Sequence, residues 1–178
     1  MCIRDRIDIF TLASSVEDAL AQEEMESFDL IALLKGYCQY RAPNERGVKV
    51  VFKSELESYK FTGNDFRIEQ LLDKLIDNAM SFAKDNTDVE VEMHVNEAVE
   101  ITISNQGPLI DESVLEKVFD PMFSERDTLD TEMHLGVGLF IAKKIVEVHH
   151  GSLRLENRQD KSGVCLLYTS DAADDETS

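Results

Sequence analysis

Basic residues are scarce in this chain. Eighteen lysines and arginines stand against 36 aspartates and glutamates, a formal net charge of −18 over 178 residues. A nucleic-acid backbone binds proteins that neutralise its phosphates, so no nucleic-acid partner is expected. Beyond that, an acidic surface is an ordinary soluble one. No run of 18 apolar residues occurs, so the sequence holds no stretch able to span a bilayer as a helix, and no membrane contact by this fragment is expected. No secretory signal is readable at the start. Only three cysteines are present, without a pairing pattern, which suggests a reducing compartment. Of these, only Cys38 falls in the expected body of the domain. What is plentiful is apolar material, 43% of residues, enough for one domain with a sizeable core.

Both ends look foreign. Met1–Arg6 and the stretch from Cys165 through Asp175 resemble translated sequencing-adapter sequence. The expected division is therefore 1–6 non-native, 7–27 a helical stub, 28–164 the main domain and 165–178 a non-native tail. A genuine disordered acidic tail is the alternative.

Ile7–Ser27 carries apolar residues at Ile9, Leu12, Val16, Ala19 and Leu20, the spacing of an amphipathic helix that needs a partner. Asp29 is placed to cap a second helix, Leu30–Tyr40. Pro43, Asn44 and Gly47 then break the chain. Val48–Lys53 alternates like a strand, and Tyr59–Thr62 suits a short one. Asn64 or Asp65 caps a long helix, Phe66–Lys84, with Ile68, Leu71, Leu72, Leu75, Ile76 and Ala79 on its apolar face. Val89–Val95 and Val99–Ser104 form strands joined by a tight turn at Asn96-Glu97. A brief helix is expected over Asp111–Lys117. Asp120–Met133 is a long polar loop of the kind that is usually functional or mobile. A helix follows from Gly136, then a strand at Ser152–Asn157. Another strand starts at Gly163-Val164, where the foreign tail is expected to interrupt it. Strands and helices without strict βαβ alternation predict an α+β fold: a two-layer sandwich of a mixed sheet covered by helices on one face, preceded by the helical stub.

The stretch His134, Leu135, Gly136, Val137, Gly138, Leu139 carries the clearest chemistry. A glycine turn feeding a helix N-terminus aims free N–H groups and the positive end of the helix dipole at what lies in front, which makes a phosphate cradle. Alone, a glycine pair says little. Three further elements precede it in order: the helix Gln70–Phe82 holding Asn78, then Ile103–Ile110, then Val118–Arg126.

This order resembles the N, G1, F and G2 boxes of the catalytic ATP-binding domain of sensor histidine kinases. Ser162-Gly163 is similar to the small G3 element. The resemblance covers about Asp29 to Val164 and belongs to a superfamily shared with gyrase-, Hsp90- and MutL-type ATPases, whose fold is the Bergerat sandwich. Asp73–Asn78 also resembles the kinase of a bacterial dedicated sortase system. The resemblance implies ATP and Mg²⁺ as cofactors. Asn78 would offer its amide oxygen to the metal, as suits a hard cation. Lys74, Asn78 and Ser81 share one helical stripe; read alone, that is an ordinary polar helix face. Asn105 stands where the family carries the aspartate that accepts from the adenine amino group. An amide can accept or donate there, which predicts relaxed discrimination between adenine and guanine. Gly107 lets the backbone approach the base, while Leu109 replaces a family glycine. Phe119 and Phe123 flank a lid in the family, and read alone they are core or rim aromatics. Arg126 could reach a phosphate or remain solvated.

The family often carries a lysine and then a tyrosine or phenylalanine at positions 81 and 82; here Phe82 keeps the aromatic, but Ser81 stands in place of the lysine, so a phosphate-binding charge is missing. Lys74 occupies the place of asparagine in many kinases and of the water-activating glutamate in hydrolytic ATPases. A protonated lysine is no base, which argues against gyrase-like hydrolysis, and Lys74 could supply the charge that Ser81 lacks. His134 reads as a helix-entry residue. His149 and His150 end a helix, where a cation is favourable, and carry no assigned chemistry.

By resemblance the chain is the kinase domain at 28–164 preceded by the end of a dimerisation helix at 7–27. It would donate the ATP γ-phosphate to a histidine on a separate dimerisation domain. None of the four histidines is followed by the acidic-Leu-basic pattern of a phosphoacceptor box, so the fragment alone is expected to bind nucleotide without phosphorylating itself. The implied whole is a protein histidine kinase: a homodimer at the inner membrane with this domain in the cytoplasm, acting on a response regulator. The alternatives are a degenerate nucleotide-sensing module, which Ser81, Asn105 and Leu109 favour, and a serine kinase of the anti-sigma-factor type, which the helical stub disfavours.

Overall fold

Two polar side chains set where helices begin. A computed structural model describes residues 14–120 and 138–171. In it, helix α1 covers residues 14–21 and strand β1 covers Glu26–Asp29. Helix α2, Leu30–Tyr40, starts at Asp29, whose carboxylate accepts from the N–H groups of Ile31 (3.0 Å) and Ala32 (3.3 Å). The same carboxylate accepts from Tyr59 N–H and Ser58 Oγ, so one residue both caps α2 and fixes the loop before the next strand. Donation by the Tyr59 backbone, more than any other contact, holds the Asp29 carboxyl below its ordinary range. Strands β2 (Lys49–Ser54) and β3 (Lys60–Gly63) lead to helix α3, Asp65–Phe82. Of the two residues that could cap α3, Asn64 does so, accepting from Arg67 N–H at 3.0 Å.

Strands β4 (Asp88–Val95) and β5 (Ala98–Gln106) follow, then helix α4 (Gly138–Val148), β6 (Gly151–Asn157) and β7 (Gly163–Asp171). Five strands form one sheet in the order β2-β4-β5-β7-β6; β1 and β3 pair in a small second sheet. Only β2–β4 is parallel in the large sheet, so it is mixed. Alternation decides its faces: Val89, Val91 and Met93 of β4, with Val99, Ile101 and Ile103 of β5, are buried under the helices. Leu71, Leu72, Leu75 and Ile76 of α3, with Ala142, Ile145 and Val146 of α4, meet them from above. The expected two-layer α+β sandwich with helices on one face is the fold observed.

Helix α1 is part of this body. Leu20 is 1% exposed within the core. Glu17 pairs with Lys144 of α4 at 2.6 Å. Just beyond the helix, both Glu23 carboxylate oxygens accept from Arg67 Nε, at 2.8 and 2.9 Å, and one accepts from Asn64 Nδ2 at 3.2 Å.

Four local expectations need correction. The stub helix does not run to Ser27; it ends near residue 21, because Glu26–Asp29 finds backbone partners in β3. The brief helix over 111–117 is instead two 3-10 turns, Glu112–Val114 and Lys117–Phe119, the first capped by Asp111. The strand from Gly163 is not interrupted at Cys165. It continues to Asp171 with unbroken register against both β5 and β6, and Tyr168 within it is 2% exposed. Cys165 therefore lies in the body of the domain, as Cys38 does. Burial pushes both thiols up to about 11, leaving them protonated and unreactive.

Candidate nucleotide site

Lys74 and Asn78 lie half-buried on one stripe of α3, with Ser81 and Phe82 more exposed at its end. Helix periodicity puts the apolar residues beneath them and leaves this stripe facing sideways. The stripe meets the start of α4: a Cβ built at Gly138 would lie 3.7 Å from Lys74 Cδ. The start of α4, whose dipole is positive at this end, is thus brought beside the Lys74 side chain, two positive features at one place. Leu139 in that turn is half-buried. Phe123, Arg126, His134, Leu135, Gly136 and Val137 lie outside the described residues.

The other end of the α3 stripe meets the end of β5. Asn105 continues the inward row of Val99, Ile101 and Ile103 and is 5% exposed; its Nδ2 is enclosed and has no hydrogen-bond partner. Gly107 follows at a close crossing. A Cβ there would sit 2.2 Å from the Phe82 carbonyl oxygen, so only glycine lets this turn pass under the end of α3. Its N–H donates to the Ser162 carbonyl at 2.9 Å, and Lys84 N–H donates to the Gln106 carbonyl at 2.7 Å. Gly163 is likewise required, because its Cβ would fall 1.8 Å from the Asn105 carbonyl oxygen. Four expected site residues, Phe82, Asn105, Gly107 and Ser162, are therefore brought into one cluster.

Ser162 braces this cluster. Its N–H and Oγ both donate to Asp160, at 3.0 and 2.6 Å, and these two bonds, with Arg158, hold the Asp160 carboxyl down at about 2. Leu109 is 45% exposed at the rim. Phe119 is buried, with the Lys143 ammonium 5.8 Å from its ring centroid.

Several supporting residues carried no signal in the sequence. Arg46 caps the C-terminal end of α3, donating to the carbonyls of Ser81 (3.0 Å) and Ala83 and pairing with Asp85 at 2.6 Å. Asn157 clamps the segment after Gly107: its Oδ1 accepts from Ile110 N–H at 2.9 Å and its Nδ2 donates to the Ile110 carbonyl at 2.8 Å. Arg41 reaches from α2 to Asp73 and Asp77 on the outer face of α3. Nothing local in the sequence marks these reaches, which the fold alone creates.

His149 differs from the cation favoured at a helix end. It is 6% exposed, with Nδ1 2.7 Å from the Ile145 carbonyl and Nε2 accepting from Asn64 N–H at 3.0 Å. One nitrogen must donate and the other accept, which only the neutral ring can do. Burial lowers its pKa accordingly.

Residues 63–171 match the family model described as histidine kinase-, DNA gyrase B- and HSP90-like ATPase, which is well over half of the chain. The chain belongs to this family. Within it, the chain is similar to sensor protein ChvG of Agrobacterium fabrum, 28% identical over 164 residues, 85% of this chain and 27% of that protein. It is also 27% identical over 149 residues to heme sensor protein HssS of Staphylococcus haemolyticus, 83% of this chain and 31% of that protein. The chain thus spans about 30% of the length of such curated relatives. Among solved structures, the nucleotide-free catalytic domain of histidine kinase ThkA superposes with a TM-score of 0.70 at 25% identity, over 84% of this chain and 96% of that domain. The ThkA complex with response regulator TrrA shares the fold at a TM-score of 0.67 and 22% identity, over 94% of this chain and 48% of that chain. The domain is an ATP-binding catalytic domain of the histidine kinase type, related to two-component sensor kinases. Among the described residues no helix is long and apolar enough to cross a membrane.

Proposed function

We propose that this chain binds Mg²⁺·ATP across the open edge of α3 and presents the γ-phosphate to a histidine on a dimerisation domain outside the chain. The observation that carries this is the single α3 stripe with a phosphate-suited end and a base-suited end. Lys74 stands beside the start of α4. Enclosed Asn105 lies past the other end of the helix, with a donor that finds no acceptor among the described residues. That spacing suits a nucleotide lying along the helix. The residues present fit the group: Lys74 and the α4 N-terminus would neutralise phosphate charge, Asn78 would ligate Mg²⁺ through its amide oxygen, and Gly107 would let the base lie close to the backbone. No cluster of three or more His, Cys, Asp or Glu able to hold a metal exists among the described residues, so phosphate oxygens and water would complete the coordination.

The protein's part in transfer is positioning and charge neutralisation rather than covalent chemistry. Bound Mg²⁺·ATP supplies the phosphoryl group. The full protein would be a homodimeric inner-membrane kinase with this domain in the cytoplasm and a response regulator as the next acceptor. The dedicated-sortase subgroup is proposed on the Asp73–Asn78 run alone. Ser81, Asn105 and Leu109 favour a second reading, a nucleotide sensor without transfer.

Calorimetric titration with ATP, with and without Mg²⁺, alongside Asn78→Ala, tests the site. Mg²⁺-dependent binding lost in the variant is expected; no binding by a folded chain refutes it. Phosphotransfer to a supplied dimerisation domain would exclude the sensor reading.

A further inference from the structure

We propose that the base pocket accepts 6-oxo purines as well as 6-amino purines, with Asn105 as the residue that sets this tolerance. The inference rests on the nucleotide site proposed above and concerns which base that site takes.

Asn105 ends the inward-facing row of β5, below the end of α3. It is 5% exposed, and its Nδ2 is enclosed with no hydrogen-bond partner. A buried donor left without an acceptor is costly, so native proteins rarely keep one without use. Gly107 is pinned by its bond to the Ser162 carbonyl and by close approach to the Phe82 carbonyl, and Gly163 lies against the Asn105 carbonyl. These contacts hold the backbone around Asn105, while its amide remains able to turn about its terminal bond.

An acceptor brought by a ligand would complement that donor. At the six-position of a purine, guanine and hypoxanthine present a carbonyl oxygen, an acceptor, whereas adenine presents an amino group, a donor. The Asn105 amide meets the first with Nδ2 as it stands. Turned half a revolution about its terminal bond, it meets the second with Oδ1, because the two ends of an amide are nearly the same size. A carboxylate at this position could only accept, and would repel a 6-oxo group. Sites discriminate strongly when a mismatched ligand leaves a buried polar group unpaired. A two-faced amide removes that penalty for either base.

The test is calorimetric titration of the folded chain with Mg²⁺ complexes of ATP, GTP and inosine triphosphate, repeated on Asn105→Asp. In the unmodified chain GTP and inosine triphosphate should bind within about tenfold of ATP, and Asn105→Asp should weaken both 6-oxo nucleotides by at least about tenfold more than ATP. The inosine triphosphate comparison needs no variant and separates the six-position from the 2-amino group. If both 6-oxo nucleotides bind the unmodified chain more than about tenfold weaker than ATP, the proposal fails while the nucleotide site stands. It fails in the same way if Asn105→Asp weakens all three equally. Binding of none of the three by a folded chain would remove the site itself and the proposal with it.

Discussion

Acidification from about pH 7.5 to about 5.5 should destabilise this domain through one side chain, His149. Its ring is buried and neutral: Nδ1–H donates to the Ile145 carbonyl, and Nε2 accepts from Asn64 N–H, the residue that caps α3. Protonation would place a second N–H against the Asn64 N–H and a charge among Phe61, Ile145 and Val146. The pKa lies below the ordinary 6.5, burial being the main cause, with His150 lowering it and Glu23 opposing. Arg67, paired with Glu23, keeps that carboxylate occupied. The unfolded chain therefore takes up its proton first, near 6.5, and the stability contributed by the neutral ring is present above that pH and lost below it. The loss over this interval is bounded at about 1.4 kcal/mol, one pH unit below 6.5 at full slope, and is smaller to the extent that the native ring also takes up a proton. The paired carboxylates Glu23, Asp29, Asp111 and Asp160 titrate below ordinary values of 4.5 or 3.8 and do not contribute in this window.

Urea unfolding followed by ellipticity at both pH values measures the effect, with His149→Gln as the control. The variant should be weaker at the higher pH by about 1–3 kcal/mol, since Asn64 N–H loses a well-placed acceptor, but its stability should be nearly flat between the two. A wild-type chain equally stable at both, or a variant that keeps the full wild-type slope, would refute the neutral buried ring.

Leu20→Ala should cost about 2–5 kcal/mol in urea unfolding, because a side chain only 1% exposed leaves a cavity; a loss below about 0.5 kcal/mol would mean that α1 is not part of the folded body. Gly107→Ala should destabilise by about 1–3 kcal/mol or more, with a lowered Tm in calorimetry, because its Cβ meets a backbone carbonyl rather than a movable side chain. An unchanged Tm would show that the turn can lift away from Phe82.

Local signals made much of this legible. Asp29 and Asn64 are cap residues directly before 3.6-periodic runs, and β4 and β5 alternate cleanly, so two helices and the central hairpin can be read from the sequence. Asn78, Asn105 and Gly107 stand out as candidates because each belongs to an ordered series of short patterns. Strand β1 was not: it has four residues, none fully buried, and its only signature is pairing to β3 across a long stretch of chain. The continuation of β7 was hidden by a composition that looked foreign, while its order comes from neighbours on both sides. The His149 charge state depends on Asn64, far away in sequence, and a helix-end rule cannot see that burial.

The position of β7 also bears on the order in which the domain can form. Strands β5 and β6 never touch; the last strand lies between them and pairs with both. Against β6 the pairing is local, Asn157 facing Val164, but against β5 even the nearest pair, Gln106 and Gly163, is separated by the whole of α4 and β6. Closing such a distant pairing carries a large entropic toll before any contact rewards it, which slows folding. Until β7 inserts, β5 exposes a bare edge able to capture another chain's strand. The sheet is therefore finished late, and refolding at high protein concentration should compete with aggregation through that edge.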